Sequence, residues 1–110
     1  MSQDNRTATR VPLSVFVNQE FGKTDQRLGM TVDVSTEGMS LVTLRREKPP
    51  EGKHSWVRFW LPGSEILIHA LAEVMHQAGN SDVEHYGLRF KYLFPDQREL
   101  LHGYLAALAA

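Results

Sequence analysis

Arg6 and Arg10 stand four residues apart in a polar amino-terminal stretch, and Asp33, Ser35 and Gly38 follow at the end of a predicted strand. Arginine presents a planar fork of donors that matches the O6 and N7 acceptors of guanine and also pairs with phosphate. A carboxylate supplies the complement: Asp33 can accept from the N1 and N2 donors on the opposite edge of that base, so the two kinds of group together distinguish guanine from adenine. Ser35 adds a small hydroxyl that donates or accepts. Gly38 reads as a sharp corner, because glycine tolerates the positive φ that such a bend often needs. The ligand class this chemistry implies is guanine plus phosphate.

Such groups need a frame. Residues 1–10 read as a flexible arm, ended by Val11-Pro12, whose ring forces the preceding backbone to be extended. Leu13, Val15 and Val17 then alternate with Ser14, Phe16 and Asn18 as a first strand in which Phe16 is discordant. Met30, Val32 and Val34 alternate with Thr31, Asp33 and Ser35 in a second. Side chains two apart share a strand face, so an apolar set turned to the core sends Asp33 and Ser35 outward together. Met39–Leu44, Trp56–Leu61, Glu65–His76 and Glu84–Leu93 supply four more strands, with a charged, proline-marked loop at Arg45–Lys53. Trp56, Arg58 and Trp60 share one face; large aromatics contribute much of the buried area of a small domain, so both tryptophans are expected in the core or under a helix, the alternative being a base-stacking surface or a partner patch. Pro95 suits the first turn of a helix over 95–109, whose apolar stripe is Leu101, Leu105 and Leu108 beside Leu100 and Tyr104. The expected fold is mainly β: a six-stranded antiparallel barrel over 11–93 plugged by a carboxy-terminal helix.

Composition narrows the function classes. A chain of 110 residues is one domain's worth, read here as residues 1–110. The net charge of −1 argues against a general binder of nucleic-acid polymer or membrane surface, since such proteins carry a positive field; a small barrel binding single-stranded RNA fits the aromatics but not the charge. Absence of cysteine rules out disulfides and cysteine zinc sites. No stretch approaches the roughly 20 apolar residues of a membrane span, so a cytoplasmic location is the expectation. The five histidines, at 54, 69, 76, 85 and 102, show no metal-ligand spacing, and His69 and His76 lie an odd number apart, on opposite faces unless a bulge intervenes. Ser35 lies in no nucleophile-elbow sequence and no histidine is placed near it by local spacing, so a hydrolase is not expected; the expectation is a protein that is not an enzyme and holds no metal or cofactor.

Taken alone, two arm arginines are commonly solvated charge and an Asp-to-Gly segment an ordinary turn; occurring in this order they are far more specific. The pattern Arg6-Thr7-Ala8-Thr9-Arg10, then Val11-Pro12-Leu13, then Asp33-Val34-Ser35-Thr36-Glu37-Gly38 resembles the two signatures of the PilZ domain family, Arg-x-x-x-Arg and Asp/Asn-x-Ser-x-x-Gly. Tyr86-Gly87-Leu88-Arg89-Phe90 also resembles the family's last strand. The resemblance implies a bacterial receptor for cyclic di-GMP, with Arg6 and Arg10 on guanine edges and phosphates, Asp33 and Ser35 holding guanine from the barrel, and Gly38 allowing the corner. It further implies a protein partner in motility, attachment or exopolysaccharide control. The alternative is a ligand-independent protein-interaction module on the same barrel. Asn5 stands where many members carry another arginine, which bears on whether one ligand or an intercalated pair is bound.

Overall fold

The computed structural model describes residues 9–44, 52–80 and 82–109. Most of the expected arm, Arg6 included, and most of the expected loop at 45–53 therefore lie outside the described residues. The elements are β1 (Val11–Pro12), β2 (Phe16–Phe21), β3 (Asp25–Val34), β4 (Gly38–Leu44), β5 (His54–Trp60), β6 (Leu67–Gly79), β7 (Val83–Leu93) and the helix α1 (Pro95–Ala109). Strands run in the order β1-β3-β2-β5-β6-β7-β4, and β4 pairs back onto β3. Among the described residues this is a closed six-stranded antiparallel barrel with one helix, as expected, plus a two-residue extra strand, β1, laid against Val34 and Asp33.

Alternate residues fill the barrel: Val17, Met39, Leu41, Val57, Phe59, Ile68, Tyr86 and Leu88 meet Leu101 and Leu105 of α1. The helix stripe is narrower than expected, because Leu100 and Leu108 are largely exposed while Leu101, Leu105 and part of Tyr104 do the packing. Its first turn is clamped by a side chain. Gln97 accepts from the His69 amide at 2.9 Å and donates to the Leu67 carbonyl at 2.9 Å. Since β7 pairs with β6 only from Ala70 onward, the Gln97 carboxamide continues the ladder where the strand stops.

Three faces differ from the periodicity. Met30 and Val32 point to solvent, as does Leu28, while Arg27 and Thr31 point inward; only Val34 of the expected apolar set is in the core. The cause is a bulge: Thr31 pairs with Leu41 and Asp33 with Ser40, so Val32 is an extra residue and the parity of β3 reverses there. Thr31 is accommodated inside because its hydroxyl donates to the Leu13 carbonyl and accepts from the Val15 amide. Trp56 and Trp60 also face outward, with Val57 and Phe59 taking the core instead; both parities of that strand are apolar, so alternation cannot choose between them. The alternation that buries Tyr86, Leu88 and Phe90 would carry Tyr92 into the core as well, but it faces outward because Lys91 is an extra residue of β7, between the pairs Leu71–Tyr92 and Ala72–Phe90.

A polar layer inside the barrel is built from residues of β3, β6 and β7. Arg27, only 3% exposed, donates from Nε and Nη2 to the Asp25 carboxylate at 3.1 Å each, and Glu84 Oε1 lies 3.9 Å away. Glu84 in turn accepts from the Tyr86 hydroxyl at 3.0 Å and from Gln77 at 2.9 Å. Burial, followed by the neighbouring Glu84 carboxylate, pushes the Tyr86 phenol up to about 12.

Two outcomes follow from this packing. Gln97→Ala strands an amide and a carbonyl of β6 and should lower the unfolding free energy by about 1–3 kcal/mol, read from the urea midpoint, with Gln97→Glu, which keeps the acceptor, falling between. Tyr86 is raised above its unfolded value. Its contribution is therefore complete below the ordinary tyrosine value near 10 and lost as pH rises through about 12. Ultraviolet titration should show a tyrosine step near 12 in wild type that Tyr86→Phe lacks.

Candidate functional site

The end of β3 is where the two halves of the arginine and aspartate signature come together. After the bulge Asp33 points outward, flanked by Pro12 of β1 and Ser40 of β4. Arg10 immediately precedes β1, and its Nη1 donates to Asp33 Oδ1 at 2.6 Å and to the Ser40 hydroxyl at 3.3 Å. Residues 23 apart in sequence thus form an ion pair on the barrel's outer surface. Both partners remain partly solvated, which for such pairs corresponds to a net contribution of about 0–1 kcal/mol. Arg6, the other arginine of the signature, lies outside the described residues.

Ser35 differs from its expected outward, freely offered position: it is 4% exposed. Its hydroxyl accepts from the amides of Glu37 at 3.0 Å and Gly38 at 3.1 Å, and its own amide donates to the Gly38 carbonyl at 2.8 Å. A small hydroxyl satisfying backbone donors in this way stabilises a turn that the strand ladder cannot serve. The side chain therefore builds the corner and forms part of the floor of the groove beside it.

Gly38 is needed, but not for a positive φ; among the described residues only Gly22, Gly52 and Gly63 adopt one. The need is steric. A β-carbon at Gly38 would stand 2.0 Å from the Leu88 carbonyl oxygen of β7. The same corner is tied to β7 by the Phe90 amide, which donates to the Glu37 carbonyl at 2.8 Å.

Against this corner lies a groove of about 210 Å³ lined by Arg10, Ser35, Gly38, His76, Gly87 and Arg89, among others. Two of these escaped the sequence reading as site residues. The sequence raises His76 only as a metal ligand, on the face opposite His69 unless a bulge intervenes, and a bulge does intervene. Met75 is an extra residue of β6, between the pairs Val74–Leu88 and His76–Gly87, and this bulge sets His76 directly across from Gly87. The imidazole lies over Gly87: a β-carbon there would come within 2.1 Å of its Nε2. Arg89, opposite Gly38 on β7, donates to Glu73 at 3.1 Å and holds that carboxyl below its usual range, with Lys91 at 3.7 Å assisting. The available signal was the strand alternation that puts Gly87 and Arg89 on one face of β7.

The groove therefore offers guanidinium groups from two directions, a carboxylate at its lip, and a flat imidazole on its wall. This set suits a planar, hydrogen-bonding base carrying phosphate. Among the described residues no three histidine, aspartate or glutamate side chains gather as a metal site.

Comparison with known proteins bears on family and fold. The PilZ domain family matches residues 4–107. Sequence comparison found no match among curated proteins. Similar solved structures include the Bacillus subtilis inhibitor of motility MotI/DgrA, at 16% identity and a TM-score of 0.81, covering 96% of this chain and 51% of that one. They also include the PilZ domain of Escherichia coli YcgR with c-di-GMP, at 14% identity and a TM-score of 0.76, covering 96% and 92%. Klebsiella pneumonia MrkH is similar at 16% identity and a TM-score of 0.67, covering 99% and 50%. The chain thus spans about half the length of the MotI/DgrA and MrkH chains, and these identities establish likeness of fold.

The two glycines of the groove should respond differently to alanine. Gly38→Ala meets backbone and must part β4 from β7, so a loss of about 2–4 kcal/mol in chemical denaturation, or failure to fold, is expected. Gly87→Ala meets a side chain that can rotate away, so it should cost under about 1 kcal/mol while moving the His76 ring signals in NMR spectra.

Proposed function

The chain belongs to the PilZ domain family, and on that footing we propose that it is a non-enzymatic receptor for cyclic di-GMP, acting in the cytoplasm as one module over residues 1–110. The observation that carries this reading is the Arg10–Asp33 pair beside the Ser35–Gly38 corner, which brings the two signature segments to one groove. Arg6 and Arg10 bind guanine edges and phosphates, Asp33 accepts from guanine N1 and N2, Ser35 holds the corner beneath the base, and Gly38 lets that corner lie against β7.

The mechanism is an exchange of partners. Without ligand, one oxygen of Asp33 is taken by Arg10. The carboxylate retains acceptor capacity for a guanine edge, and the exposed pair costs little to rearrange. Arg10 can then turn its remaining donors to the ligand while the arm of residues 1–10 closes over it. A ligand shifts such an equilibrium only through contacts that differ between the states, and here the phosphates and Arg6 supply them. The closed arm presents a new surface to a protein partner in motility, surface attachment or exopolysaccharide control.

One bidentate arginine–guanine contact contributes about 1–3 kcal/mol. Titration calorimetry should therefore show Arg10→Ala and Asp33→Ala binding cyclic di-GMP about fivefold to more than a hundredfold more weakly than wild type. Equal affinity in both variants and wild type would remove the site assignment. A partner complex that forms without cyclic di-GMP, and survives loss of both arginines, would instead support the ligand-independent module.

A further inference from the structure

The outer face of β2, β3 and β5 is apolar where a monomeric barrel should be polar. Phe16 pairs with Met30 across β2 and β3, and Trp60 with Leu67 across β5 and β6. Asn18 pairs with Arg58, and the same register carried two residues further brings Phe16 level with Trp60. Met30, Phe16, Trp60 and Leu67 thus form one row across four strands, with Leu28 and Val32 beside it on β3. Phe16 is 65% exposed, Leu28 63% and Trp60 55%. Phe16, Leu28, Trp60 and Leu67 also share a shallow groove edged by Arg58.

We propose that this face is the interface of a homodimer in which two copies pack β2–β3–β5 against β2–β3–β5 about a two-fold axis. Three observations select a second copy as the occupant. The first is area. An aromatic side chain offers roughly 150–250 Å², so Phe16 and Trp60 at their exposures, together with Leu28, Met30 and Val32, leave on the order of 400 Å² of apolar surface open. A standard interface covers about 800 Å² per partner, and homodimer interfaces are about 65% apolar, so this patch supplies most of the apolar core that one side requires.

The second is charge. The patch carries one group of each sign: Arg58 Nη2 lies 3.7 Å from Glu20 Oε1, too far for a strong hydrogen bond, and both side chains are about one-third exposed. A two-fold interface needs a surface complementary to itself, and a face bearing both signs can pair Arg58 of each copy with the other's Glu20. The third is net charge. At −1, two copies repel each other little, whereas a membrane or nucleic-acid surface would call for a basic field. The groove on this face shares no lining residue with the groove beside the Ser35–Gly38 corner, so the proposal does not depend on ligand binding.

Sedimentation velocity of the full chain over roughly 1–100 μM should show a monomer–dimer equilibrium, since dimer population depends on concentration. Phe16→Glu and Trp60→Glu change exposed side chains and should keep the wild-type circular dichroism spectrum while raising the dimer dissociation constant at least about tenfold. Charge reversal gives a sharper test. Arg58→Glu and Glu20→Arg should each weaken self-association, and mixing the two variant chains should restore a heterodimer. Wild type that remains monomeric throughout this range overturns the proposal, even if it floats with lipid vesicles or captures another protein. So does a dimer indifferent to Phe16→Glu and Trp60→Glu, or a mixture of charge variants that fails to pair.

Discussion

Gly38 approaches β7 so closely that a β-carbon would come within 2.0 Å of the Leu88 carbonyl oxygen, and the groove depends on that contact. With no side chain in the way, β4 pairs with β7 from its first residue, Gly38 against Arg89, to its last, Leu44 against Val83. The β3–β4 corner is then held flat against β7, its amides taken by the Ser35 hydroxyl and its Glu37 carbonyl by the Phe90 amide. Asp33, one residue before the corner's start at Val34, is joined to that groove through Arg10, which lines it together with His76, Gly87 and Arg89. A bulkier residue at position 38 would push the corner off β7 and widen the barrel seam, separating the carboxylate lip from the imidazole wall.

Much of this was legible in the sequence, because strands, turns and the terminal helix are governed by local rules. Alternation marked the six barrel strands, Pro95 marked the helix start, and the glycine at position 38 marked a corner, although for a different physical reason than its backbone freedom. The faces were less legible. Val32, Met75 and Lys91 are each one residue too many for strict pairing, and each reverses the inside–outside parity downstream. A bulge leaves no compositional trace when the residues around it remain apolar, as Met30, Val32 and Val34 do. His76 was hidden for the same reason, since its place opposite Gly87 follows from the bulge at Met75. Arg10 and Asp33 were identified as a chemical pair, but their direct contact requires β1 to lie on β3, and a two-residue strand is too short to carry a periodic signal.

The Arg10–Asp33 pair occupies a middle ground that suits a reversible site. Had it been buried, removing either partner from the other would leave an uncompensated charge at a cost of several kcal/mol, and the carboxylate would be closed to ligand. On the surface, water compensates both groups, so rearrangement is cheap and the pair serves mainly to keep two chemically matched groups adjacent. The second donor contact of Arg10, to Ser40 at 3.3 Å, orients the guanidinium along the strand edge. Preorganisation of this kind reduces the ordering a bound ligand must impose, which is where short arms otherwise lose affinity.

The polarity of β3 is inverted over its first half, and that inversion has a structural logic. Arg27 and Thr31 lie inside while Leu28 and Met30 lie outside, although sliding the strand by one residue would bury the apolar pair and release the arginine. The observed register is held by partners outside β3 that the slipped register would lose: Glu84 beside Arg27, and the backbone groups of Leu13 and Val15 on Thr31, whereas Asp25, two residues from Arg27 on the same strand, would move with it. Buried ion pairs add little net stability when well packed apolar residues could replace them, but breaking one by moving a single partner is expensive. The network therefore acts chiefly against misregistration. Its consequence is an apolar outer face that the barrel cannot cover itself. Fixing Arg27 inside is what places Leu28 and Met30 beside Phe16 and Trp60 on the surface, so interior polarity and exterior stickiness are two results of one register.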